Sequence, residues 1–100
     1  MPVVSNEIPF ESLSYVKEYS ARKYRFNEDY TIDVLYWNGK AKRYDVKGYL
    51  CKNEFRMNVL ENLELFLHPD FTDDEAVHWD DNADITAEWI YEDGIDIEPF

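Results

Sequence analysis

The sequence predicts a small α+β domain. An antiparallel hairpin at about 29–37 and 42–50, with a further strand at about 85–91, packs against two helices at about 9–22 and 53–67. Three observations carry this expectation. Tyr30, Ile32, Val34 and Tyr36 alternate along the chain before an Asn38-Gly39 pair, the pattern of a strand entering a hairpin. Apolar residues recur at helical spacing from Phe55 to Leu67 and stop before Pro69. The chain has 100 residues, 45% of them hydrophobic and 17% aromatic, which suits one core and hence a single domain spanning 1–100.

The first helix rests on Pro9, which suits an initial helical turn, and on Phe10, Leu13, Val16 and Tyr19 at three-residue intervals. Leu13, Tyr15 and Tyr19 also fit a strand. In the hairpin, a two-residue turn would set Val34 against Arg43 and mix core and solvent faces. A three-residue loop, Trp37-Asn38-Gly39 with Gly39 left-handed, sets Ile32 against Tyr44 and Tyr30 against Val46. Because register follows the buried face, the three-residue loop is expected. Gly48 reads as a bulge or a close approach.

Asn53 is a suitable N-cap and Glu54 suits the first turn of the second helix. Phe55, Val59, Leu60, Leu63, Phe66 and Leu67 form its apolar face. Beyond Pro69 two readings compete. Thr72-Asp73-Asp74-Glu75 matches a capping box with Phe71 and Ala76 as its staple, giving one or two helical turns ending near Asp80. Val77 and Trp79 also alternate as a short strand would. Asp80-Asp81-Asn82 reads as a turn. Ile85, Ala87, Trp89 and Tyr91 alternate with Thr86, Glu88 and Ile90 as a half-buried strand.

Charge is the strongest signal. The net charge is −12, and all ten Lys and Arg lie at or before Arg56, among eight acids. The last 44 residues carry fourteen acids and no Lys or Arg. Ordinary soluble surfaces mix the two signs, and single-sign blocks repel themselves in the folded state. The acidic part is not a polar brush, since Phe71, Val77, Trp79, Ile85, Trp89, Ile90 and Tyr91 run through it. A packed element with an acidic outer face is expected.

The motifs of common chemistries are missing. No Gly-rich phosphate loop, nucleophile elbow or zinc pair at standard spacing occurs, so neither an enzyme nor a bound cofactor or metal is expected. Asp80, Asn82, Asp84, Thr86 and Glu88 match alternate positions of a calcium loop. Ile85 replaces its turn glycine, however, and Tyr91 its bidentate glutamate. His68 reads as a helix-end cation and His78 as an edge residue. Cys51 is the only cysteine, so no intrachain disulfide forms. The N-terminus lacks a basic region followed by an apolar stretch, and no apolar run is long enough to span a membrane. A location in the cytoplasm of a host cell is expected. Arg22, Lys23, Arg25, Lys40, Lys42 and Arg43, with Tyr24 and Tyr44 as stacking faces, sketch a small basic patch. The expected alternative is a solvated face that balances the acidic half, so direct nucleic-acid binding is not expected.

Carboxylates four apart on a helix lie about 6 Å from one another, and alternate strand residues about 6.6 Å. Rows at that spacing approach the density of a nucleic-acid strand, with one charge per roughly 3.4 Å. The expected function follows: an acidic inhibitor that binds the basic, nucleic-acid-binding surface of a partner protein. The expected contact residues are Asp73, Asp74, Glu75, Asp80, Asp81, Asp84, Glu88, Glu92 and Asp93, with Trp79 as an aromatic anchor. In size and charge, though in no motif, the chain resembles the small acidic anti-restriction and anti-CRISPR proteins of phages and mobile elements. That resemblance implies a DNA-mimic role. An immunity protein for a nuclease toxin and a generic acidic interaction module are the alternatives.

Overall fold

In the computed structural model, residues 3–8, 19–80 and 83–100 are described. Among the described residues, alternating side chains build two antiparallel sheets. The larger runs in the order β1 (Val3–Glu7), β2 (Ala21–Asn27), β3 (Thr31–Tyr36), β4 (Ala41–Asp45) and β8 (Ile95–Ile97). The smaller contains β5 (Phe71–Thr72), β6 (Ala76–Asp80) and β7 (Ala83–Thr86). Among the described residues, four short helices connect and flank them: α1 (Lys47–Leu50), α2 (Glu54–Leu60), α3 (Leu63–Leu67) and α4 (Ala87–Asp93).

The central hairpin has the expected register. Ile32 pairs with Tyr44, the amide of Val46 donates to the Tyr30 carbonyl at 3.1 Å, and Gly39 has φ +90°. A side chain at Gly39 would be strained, which is why the loop uses glycine there. The turn before β3 has its own cost. Tyr30 sits at φ 63°, a conformation that disfavours a residue with a Cβ. Its ring packs 4.8 Å from that of Phe66.

Several expectations are corrected. The helix expected at 9–22 falls largely on residues 9–18, outside those described, while Ala21 and Arg22 open β2. The alternation of Tyr24 and Phe26 with Lys23 and Arg25 drives that strand. The return strand ends at Asp45 rather than near 50, and Gly48 is neither a bulge nor a close approach. It lies in the single-turn α1, with open space around it. The helix expected at 53–67 is two helices, because the Asn62 side chain accepts the Leu65 amide at 3.2 Å and caps a new start. Residues 76–80 take the strand reading, and the capping-box helix does not form. The strand expected at 85–91 ends at Thr86. Thr86 Oγ1 accepts the Trp89 amide at 3.0 Å and starts α4.

One buried cluster draws on both sheets and on all four helices. Phe66 of α3 meets Phe26 edge-on at 5.9 Å and stacks on Trp79 at 5.9 Å, linking β2 to β6. Tyr24, Ile32, Val34, Tyr36, Val77, Ile85 and Ile90 complete it. The other face of the larger sheet carries charge. Asp33 is fully buried there, between Arg25 and Arg43 on the neighbouring strands.

Candidate functional site

The acidic half is built around one tight turn. Between β5 and β6, Asp73 Oδ1 accepts the amides of Glu75 and Ala76 at 2.9 and 2.8 Å, and the Asp73 amide donates to Ala76 at 3.0 Å. Three successive carbonyls are then tied to separate parts of the fold. Asp73 accepts from the Tyr24 hydroxyl at 2.8 Å, Asp74 from the Ala21 amide at 2.8 Å, and Glu75 from the Ala87 amide at 2.7 Å. Each bond contributes about 1 kcal/mol net, but their convergence holds the turn in place against β2 and the start of α4. The acids of this turn therefore sit on an ordered scaffold.

The turn forms one wall of an open groove of about 350 Å³. Asp73 and Glu75 line it from the turn, Asp84 from β7 and Glu88 from α4, with Tyr19 and His78 beside them. Alternation along β7 buries Ala83 and Ile85 and turns Asp84 and Thr86 outward. Glu88 follows in the first turn of α4. The sequence distance from Asp73 to Glu88 thus collapses into one concavity. His78 Nδ1 lies 3.7 Å from Asp84 Oδ2, so a protonated His78 would be the cation closest to that carboxylate in the groove.

The remaining expected contacts divide. Asp74 is half-buried beside the groove. Burial and the neighbouring Asp73 and Glu75 charges raise its pKa, against hydrogen bonds from Ser20 and its own backbone that lower it. Glu92 is exposed on α4, four residues after Glu88. Asp80 is half-buried at the end of β6. Asp93 is not part of the groove; it lines a separate hollow with Arg43, Asp45 and Ile95. Asp81 lies outside the described residues. Trp79 is a correction. It is 1% exposed and its Nε1 donates to the Phe66 carbonyl at 3.0 Å, so it is a core residue and not an anchor. β6 presents His78 outward and Trp79 inward, and the largest apolar ring takes the buried side.

Four cations of the basic half are engaged elsewhere. Arg25 and Arg43 hold Asp33 at 2.6 and 2.7 Å, and Lys47 reaches Asp45 at 3.0 Å. Lys42 does cross to the acidic half, meeting Asp96 at 2.7 Å on β8, away from the groove. Lys42 holds the Asp96 carboxyl below its usual pKa. The basic patch also loses one of its stacking faces, because Tyr24 is fully buried with its hydroxyl on Asp73. Its ionisation is driven well upward by burial.

Sequence reasoning missed the contribution of Tyr19 and His78 to the groove. The signal was present for His78, whose alternation with Val77 and Trp79 placed it on the outer face of a strand. Among the described residues, no group of three or more His, Cys, Asp or Glu is arranged to hold a metal ion. No described helix is long and apolar enough to cross a membrane. No family model, curated protein or solved structure matches the chain.

Proposed function

We propose that this chain is a binding protein that docks its acidic groove on the basic, nucleic-acid-binding surface of a partner protein and so keeps nucleic acid off it. The observation that carries this reading is the convergence of Asp73, Glu75, Asp84 and Glu88 on one groove. A fixed row of carboxylates attracts Lys and Arg side chains over a distance set by salt, which speeds encounter and aligns the partner. The hydrogen-bonded 73–75 turn reduces the entropy lost when such a contact forms. Glu92 extends the acidic row along α4. The proposed setting is the cytoplasm of a host cell, in an anti-defence role.

The test uses the folded chain as bait in a host lysate, beside a variant with Glu75→Gln, Asp84→Asn and Glu88→Gln. The expected result is capture of a nucleic-acid-binding protein that the variant does not retain and that DNA or heparin displaces. Capture that is equal for the variant, or that resists polyanion at physiological salt, overturns the reading. Asp73 is left unchanged in this test because its carboxylate holds the turn.

A further inference from the structure

One residue beyond Glu88 on α4, Trp89 lines a pocket of opposite character. It has a volume of about 300 Å³ and is lined by Tyr44, Gly48, Tyr49, Lys52, Arg56 and Trp89. Its aromatic walls are positioned by specific contacts. Trp89 Nε1 donates to the Tyr44 hydroxyl at 3.1 Å, and the Tyr49 ring meets Trp89 at 5.3 Å. The Tyr49 hydroxyl donates to the Asp84 carbonyl at 2.8 Å, which fixes that ring on β7. The Arg56 guanidinium lies 4.1 Å from the centre of the Tyr49 ring.

Two features of this pocket bear on what it can hold. Trp89 leaves 44% of its surface in solvent, so part of its indole is free to stack. Neither Lys52 nor Arg56 has a carboxylate partner among the described residues, in a chain with 22 acids and a net charge of −12. Two uncompensated cations beside an exposed indole select for an anion that carries a flat ring. Aromatic faces stack on any heterocyclic base, and Lys and Arg supply charge-assisted hydrogen bonds to phosphoryl oxygens. The volume lies at the small end of ligand pockets, which suits one nucleotide unit. The chain's net charge of −12 repels a longer polyanion.

We propose that this pocket binds a free nucleoside monophosphate, with the base against Trp89 and the phosphoryl group at Lys52 and Arg56. The site is separate from the acidic groove and does not depend on the function proposed for that groove. Gly48 lines the pocket without a side chain, and a Cβ there would meet nothing within 4 Å.

The experiment titrates the folded protein with adenosine, guanosine, cytidine and uridine monophosphates. Tryptophan fluorescence and amide chemical shifts at Gly48 and Trp89 report binding. The expected result is saturable binding of at least one nucleotide, weakened about tenfold or more by Lys52→Gln and by Arg56→Gln. Trp89→Phe should retain binding while losing most of the fluorescence response. Circular dichroism of each variant checks folding, and exposed Lys52 supplies the decisive variant should Arg56→Gln disturb the packing on Tyr49. No saturable response to any of the four at millimolar concentration overturns the proposal. So does equal affinity for the nucleoside alone or for inorganic phosphate alone, or tighter binding of a 5′-phosphorylated oligonucleotide.

Discussion

The Tyr36 hydroxyl donates a 2.7 Å hydrogen bond to the carbonyl of Ala87, fastening the middle of the larger sheet to the first residue of α4. The Tyr36 ring also meets Tyr91 edge-on at 4.8 Å, so one side chain contacts two residues one turn apart on the helix. Tyr36→Phe keeps the ring and removes the bond. Stability should fall by about 1 kcal/mol, read from the urea midpoint at unchanged slope.

Tyr24→Phe is the corresponding change at the acidic turn. It deletes the bond to the Asp73 carbonyl while altering no carboxylate. Amide exchange at Glu75 and Ala76 should accelerate more than in Tyr36→Phe. Unchanged protection at those two amides would show that the turn does not need the phenol.

Asp33 predicts a specific acid sensitivity. Burial raises its pKa, but hydrogen bonds from Arg43, Arg25 and Asn27 outweigh burial and hold it below the usual carboxylate value. A depressed folded-state pKa contributes stability above the unfolded value, and that contribution disappears as pH falls through the folded value. The loss should therefore begin near pH 4 and deepen below it. Asp33→Asn should cost about 2–3 kcal/mol at pH 7, less than for a fully buried pair because both arginines are partly solvated. The difference between wild type and Asp33→Asn should narrow as pH drops from 4 toward 2.

Asp74 works in the opposite sense. Its pKa is raised, so its ionised form opposes folding, and stability is lost as pH rises through the folded value. Asp74→Asn removes the charge and keeps a side-chain oxygen for Ser20. The variant should gain up to about 1 kcal/mol at pH 7 and nothing at pH 3. A loss at neutral pH would mean that the carboxylate–Ser20 contact matters more than the crowding with Asp73 and Glu75.

Gly94 joins α4 to β8 with no room for a side chain. A Cβ there would sit 2.6 Å from the Ile90 carbonyl oxygen and 2.9 Å from that of Arg43, both backbone atoms. Gly94→Ala should destabilise by about 1–3 kcal/mol, seen as a lower thermal midpoint.

Where one local rule governed, the fold was legible. Asn38-Gly39 and the alternation on both sides specified loop length and pairing together, and Ile32 does pair with Tyr44. The reading failed where two periodicities overlapped. From Ile85 to Tyr91 every second residue is apolar or small, yet Ala87 and Ile90 are buried at helical spacing after the Thr86 cap. The cap was visible in the sequence as a threonine three residues before Trp89, but the alternation masked it. Asn62 interrupted an apolar pattern that continues through both halves of 53–67, because both helices present the same side to one core. The acidic groove was legible in its composition and not in its shape. Proximity of Asp73 to Glu88 depends on the Glu75 carbonyl meeting the Ala87 amide, a long-range contact that no local pattern encodes.

β8 supplies the last strand of the larger sheet by covering the outer edge of β4 over three pairs, Ala41 with Ile97, Lys42 with Asp96 and Arg43 with Ile95. During synthesis, β4 leaves the ribosome about fifty residues ahead of that cover. Until Ile97 emerges, its amides and carbonyls remain open to pairing with a neighbouring nascent chain. The short closing strand thus acts as an edge guard whose late arrival makes slow translation, or proteolytic trimming beyond Gly94, a route to aggregation rather than to simple loss of stability.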